Sequence, residues 1–234
     1  MDYFSIFFNS FILIVQSFMH LIFIGRMFGR RYGIRYFILY PLFLFALGLA
    51  ATKNNSVGAV AIGIQLIILC LLSRIALRAR YSVSFLASTL AIYISQLSFG
   101  MISSIEAAIF PYFIGKTLLY VLLIAATIAA FGICGCCYAS VLKNLSFKGN
   151  AQTPYIGLLL LPGLFFFVAE LYILHMSYSR LPVTLSLAET GKHAGLLLIQ
   201  GLGLIALLCT LYAYRRICSG FQAQSALASL TQAA

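Results

Sequence analysis

The chain has 234 residues, 63% of them hydrophobic and only 8% charged, with a mean hydropathy of +1.05. A soluble domain carries about a quarter of its residues charged, so that class is excluded. The formal net charge is +11, from 15 Lys and Arg against 4 Asp and Glu. These cations flank apolar runs, where attraction of about 1 kcal/mol each to anionic lipid accounts for them. Membrane lipid is therefore an expected partner and nucleic acid is not.

A helix needs about 20 apolar residues to cross the hydrocarbon of a bilayer. On that measure the chain reads as an all-α, polytopic bundle of about seven transmembrane helices. The first span runs from about Tyr3 to Gly25 and the second from about Tyr36 to Thr52. Lys53-Asn54-Asn55-Ser56 forms a tight turn into a third span, about Val57 to Ser73, and a fourth follows from about Tyr81 to Ser104. Phe110-Pro111-Tyr112 interrupts the pattern before a fifth span, about Lys116 to Leu142. Pro154 opens a sixth that ends near Met176, and after a loop of about Ser177 to Lys192 a seventh runs from about His193 to Tyr214. The runs are too long for the roughly 10-residue alternation of barrel strands. Met1-Asp2-Tyr3 has no basic n-region, so a cleaved signal peptide is not expected.

The cations fall on alternate loops. Arg26, Arg30, Arg31 and Arg35 make one cluster, Arg74, Arg78 and Arg80 a second, Lys143 and Lys148 a third, and Arg215 and Arg216 a fourth. The intervening loops hold Lys53, Lys116, Arg180 and Lys192. Cationic loops are retained in the cytoplasm, so the N-terminus is expected outside and the C-terminus inside. This is the pattern of a multi-pass protein of a cell membrane.

Ionisable groups within spans are expensive in lipid and are candidate functional groups by default. Glu170 is the foremost, in the outer half of the sixth span, with Tyr172 nearby and His175 five residues on, on the same outer side but too far round the helix for an ideal pair. Glu106, near the end of the fourth span, and Lys116, at the start of the fifth, belong to the same side. Together they would form an outward pocket for an amphipathic peptide or small-molecule signal; the competing reading of Glu170 is a carboxyl that packs the bundle. His20, near the inner end of the first span, reads as a structural imidazole, and Gln16, Gln65, Gln96 and Gln200 as interhelical glue. Small-residue spacings at Gly25 and Gly29, Gly191 and Gly195, and Gly201 and Gly203 are candidates for close helix approach. Cys134, Cys136 and Cys137, with Cys70, Cys209 and Cys218, read as small packing residues. They lack a nearby His to complete four metal ligands. No P-loop, HExxH or nucleophile–base motif occurs, so neither a cofactor, a metal nor a catalytic residue is expected.

After Tyr214 the chain continues as Arg215-Arg216-Ile217-Cys218-Ser219-Gly220 into a tail rich in Ala, Gln and Leu. Residues 1–214 thus divide from 215–234, a short cytoplasmic exit helix. Ala223, Leu227, Leu230 and Ala234 follow a short coiled-coil spacing, and Gly220 is a candidate joint. Seven spans, short loops and an Arg-Arg exit into such a helix resemble the membrane sensor region of Agr-type receptor histidine kinases of Gram-positive bacteria. The resemblance implies a two-component, quorum-sensing role: an extracellular signal is bound, and Arg215, Arg216, Gly220, Leu227 and Leu230 transmit a helix shift to a GHKL-type kinase domain. It also implies a homodimer, formed largely through segments this chain lacks. No His follows His193, so the phosphoacceptor is absent and the chain is not expected to be an enzyme by itself. The alternative is a small-solute transporter with Glu170 and His175 as its coupling site; an uneven number of spans without repeats favours it less.

Overall fold

The fold was read from a computed structural model, which describes residues 3–53, 57–109, 116–145, 161, 164, 165, 168, 169 and 187–233. Among these the chain is all-helical: α1 (Tyr3–Phe28), α2 (Ile34–Lys53), α3 (Val57–Leu77), α4 (Tyr81–Ile109), α5 (Lys116–Asn144) and α6 (Leu187–Ala233). Five are long and apolar enough to cross a membrane, and α2 holds a shorter apolar stretch, Ile34–Ala50. Such a set of helices suits a multi-pass membrane protein. Most of the expected sixth span lies outside the described residues; within it, Leu161, Leu164, Phe165, Val168 and Ala169 are helical.

The expected outer loop ends earlier than its polarity suggested, because α6 already begins at Leu187. Ala188 and Glu189 are good helix formers, and a carboxylate in the first turn of a helix opposes its positive dipole end. At the other end α6 runs through Gly220 without a break. A glycine costs a helix about 1 kcal/mol against Ala, which the flanking Ala, Gln and Leu residues offset.

α4 is the hub, packed against α1, α3, α5 and α6. Leu86, Leu90, Ile94 and Leu97 repeat at helical spacing and are fully buried on it. Interleaved with them are Ala87, Ser88, Ala91, Ser95 and Ser98, also buried. Small side chains let neighbouring backbones approach, the main source of packing where lipid competes equally for apolar surface. The Tyr138 hydroxyl of α5 uses that access to donate to the Ala91 carbonyl at 2.6 Å, while its ring stacks on Phe23 of α1 with centroids 4.2 Å apart.

Large apolar side chains point outward. Val60, Ile64, Ile67, Leu71 and Ile75 form one exposed stripe along α3, and Leu198, Leu202 and Ile205 another on α6. In water such contiguous apolar stripes would be aggregation sites; against acyl chains they are the solvated face. The polar residues Ser17, His20, Gln65, Ser73 and Gln200 are instead inside.

Gly25 and Gly29 serve a turn rather than a helix–helix seam. The Gly29 amide donates to the Arg26 carbonyl at 3.1 Å and the Arg30 amide to the Gly25 carbonyl at 2.9 Å. With Gly29 at φ 63°, this is a Schellman C-cap, whose left-handed residue is usually glycine. A side chain on Gly25 would also stand 2.8 Å from the Arg30 carbonyl oxygen. The cap reverses the chain so that Tyr32 folds under α1.

Candidate functional site

The structure brings members of the basic clusters to one end of the bundle through specific bonds, while Lys148 lies outside the described residues. Arg30 donates to the Leu77 carbonyl at the end of α3, joining the first cluster to the second. Tyr32 reinforces this join: its hydroxyl lies 2.9 Å from Ser73 Oγ, which itself donates to the Leu69 carbonyl at 2.8 Å. Burial pushes the Tyr32 phenol above its ordinary value, keeping it a neutral donor. Arg74 donates to the Ala79 carbonyl at 2.8 Å and lies 4.5 Å above the Tyr81 ring, bracing the turn from α3 to α4. Arg215 of α6 donates to Asn144 Oδ1, at the end of α5, at 3.1 Å. Loops far apart in sequence therefore share one face.

A cleft of about 900 Å³ opens at this face between α1, the start of α2 and the end of α5. Arg26, Arg30, Arg31 and Lys143 line it on the charged side, and Leu21, Ile22, Phe37 and Leu142 on the apolar side.

α6 is held to the hub at two levels. The Tyr93 hydroxyl of α4 donates to the Gly203 carbonyl at 3.1 Å, and Ser104 donates to Gln200 Oε1 at 3.2 Å. The Gly203 contact is intimate: a Cβ there would meet Tyr93 Oη at 2.9 Å and a Leu97 methyl at 3.1 Å. Gly201 and Gly195, by contrast, face open space. Of the three small-residue spacings, then, only Gly203 among the described glycines of α6 makes a close helix contact.

Also at the basic end, Arg216 bonds back along its own helix to the Tyr212 hydroxyl at 3.1 Å, and Arg215, Arg216, Ser219 and Gly220 are exposed. Leu227 and Leu230 belong to α6, but their side chains lie outside the described residues.

At the opposite end, Glu106 lies in the last turn of α4 and Lys116 opens α5, so both backbone positions flank one connection. Their side chains, and Glu170, Tyr172 and His175 altogether, lie outside the described residues.

His20, read from the sequence as a structural imidazole, and Gln65, read as interhelical glue, meet at a partner the sequence did not name. His20 of α1 lies with Nδ1 3.3 Å from the Tyr40 hydroxyl of α2, and Gln65 of α3 reaches the same hydroxyl at 3.5 Å. All three side chains are buried. If Gln65 donates to the Tyr40 oxygen, the phenol proton is directed to His20 Nδ1, and three helices are pinned by one hydroxyl. The sequence offered a signal in three polar side chains confined to apolar spans, but their pairing depends on helix rotation. Cys134 and Cys137 are buried in the core and Cys136 is exposed.

Comparison with protein families, curated proteins and solved structures gives no match.

Proposed function

We propose that this chain is the membrane sensor region of a receptor of the Agr-type histidine kinase class. In this reading an extracellular peptide or small signal binds at the carboxylate-bearing face. The bound state repacks α6 against α4, and α6 carries the change through the cytoplasmic face to an output module. The signal must bind one arrangement of α6 more tightly than the other, since equal affinity would shift nothing.

The observation that supports this most is the continuity of α6. Its 47 residues correspond to about 70 Å of helix, against roughly 30 Å of hydrocarbon. Tyr93, Ser104 and Asn144 hold its first part, while Ile217 to Ala233 extend about 25 Å further at 1.5 Å per residue. A single helix that is packed at one end and projecting at the other is a mechanical link.

Such a link has a phase. With the chain fused after Ala234 to a phosphoacceptor kinase module, one to seven alanines inserted after Gly220 should make output cycle with the helical repeat, each turning the helix about 100°. Two alanines, about 200°, should invert the output, and seven should restore it. Output that is flat, or that only declines with length, would contradict transmission through α6.

A further inference from the structure

The cleft at the basic end has a chemistry that neither signalling nor fold requires. Four cations line it: Arg26 in the last turn of α1, Arg30 and Arg31 on the cap, and Lys143 in the last turn of α5. Two distant stretches of chain thus contribute charge to one space. Arg30 is fixed there by its bond to the Leu77 carbonyl, and a guanidinium retains further donors.

Among the described residues, nothing supplies their counter-charge. The carboxylates of the sequence are Asp2, Glu106, Glu170 and Glu189. Glu106 and Glu189 stand at the opposite ends of α4 and α6, and Asp2 precedes α1. Among the described residues, no carboxylate stands at the basic end. Cations held together with no anionic partner among the described residues favour an anion, and Arg with Lys is the donor set that binds phosphate.

The apolar half of the cleft narrows the class. Leu21, Ile22 and Phe37 continue from the cations toward the middle of the bundle, and Ile22 is nearly half exposed, at 47%, on the outward side of α1. A soluble phosphate would leave this wall unused. An amphiphile would place its phosphate among the cations and an acyl chain along Ile22 and Phe37. The volume, about 900 Å³, exceeds what a bare phosphate needs.

From this we infer that the cleft between α1, α2 and α5 is a binding site for the phosphate headgroup of an anionic phospholipid. It distinguishes particular lipid molecules from the general attraction of a basic surface, and it stands whether or not α6 signals.

The chain has no tryptophan, so Phe37→Trp places a single fluorophore in the cleft. The protein would be reconstituted in phosphatidylcholine vesicles with increasing brominated phosphatidylglycerol, and quenching compared with that from brominated phosphatidylcholine. Preferential quenching by the anionic lipid is expected, with apparent affinity at least tenfold greater. Arg26→Gln with Lys143→Gln should abolish that preference. Arg78→Gln with Arg80→Gln, an equal loss of charge outside the cleft, should leave it. Equal losses in both pairs would overturn the site in favour of diffuse surface charge. Quenching reversed by millimolar inorganic phosphate would overturn the lipid assignment and make a soluble phosphate the occupant. A Trp at Ile128, exposed on α5, reports the bulk lipid shell; the same preference there would overturn the proposal as well.

Discussion

Gly203→Leu should loosen the bundle markedly, whereas Gly201→Leu, two residues away on the same helix, should scarcely affect it. The Gly203 Cβ position is 2.9 Å from Tyr93 Oη and 3.1 Å from Leu97, and that of Gly201 has no neighbour within 4 Å. A Leu at 203 must push α6 away from α4. Overpacking of this kind costs about 1–3 kcal/mol, and loss of the Tyr93 bond to the Gly203 carbonyl adds about 0.6 kcal/mol on the scale of interhelical bonds in membranes. Thermal unfolding of the purified variants in detergent measures the difference. Equal losses at the two positions would show that α6 is not seated through Gly203.

The second large effect is expected at Tyr40. Tyr40→Phe keeps the ring and strands His20 and Gln65, at a cost of about 0.6–1.7 kcal/mol for hydrogen bonds in a membrane. Tyr40→Ala also empties a fully buried aromatic site, and removal of such a ring costs about 3–5 kcal/mol. The hydroxyl's own share is read by a double-mutant cycle of Tyr40→Phe with Gln65→Leu. A coupling of roughly 0.5 kcal/mol or more is expected for side chains in one network. Strict additivity would mean that the 3.5 Å approach of Gln65 to Tyr40 contributes nothing.

These two sites differ in how far the sequence disclosed them. Helix was legible across the described apolar runs, because runs of this length admit no other structure in lipid. The alternation of Arg and Lys along the chain was legible too, and the Arg30–Leu77 and Arg215–Asn144 bonds join its cluster regions in two pairs. Composition could not say which glycine does what. Gly25 and Gly29 had the spacing of a helix–helix seam, yet a left-handed φ at Gly29 makes them a cap. Gly201 and Gly203 are equivalent as letters, and only the rotation of α6 against Tyr93 separates them. His20 was legible as buried but not as paired, since its partner is a neutral phenol 20 residues away on another helix. Gly220 illustrates the reverse case, a local weakness outvoted by its neighbours.

Everything proposed for α6 requires that the basic end face the cytoplasm. Fusions of alkaline phosphatase and of green fluorescent protein after Ile109, Asn144 and Ala234 measure this directly, because the phosphatase is active only outside and the fluorescent protein only inside. Fluorescence without phosphatase activity is expected after Asn144 and Ala234, and phosphatase activity without fluorescence after Ile109. The opposite pattern would place the carboxylates inside and the projecting end of α6 outside, and would contradict an inward signal.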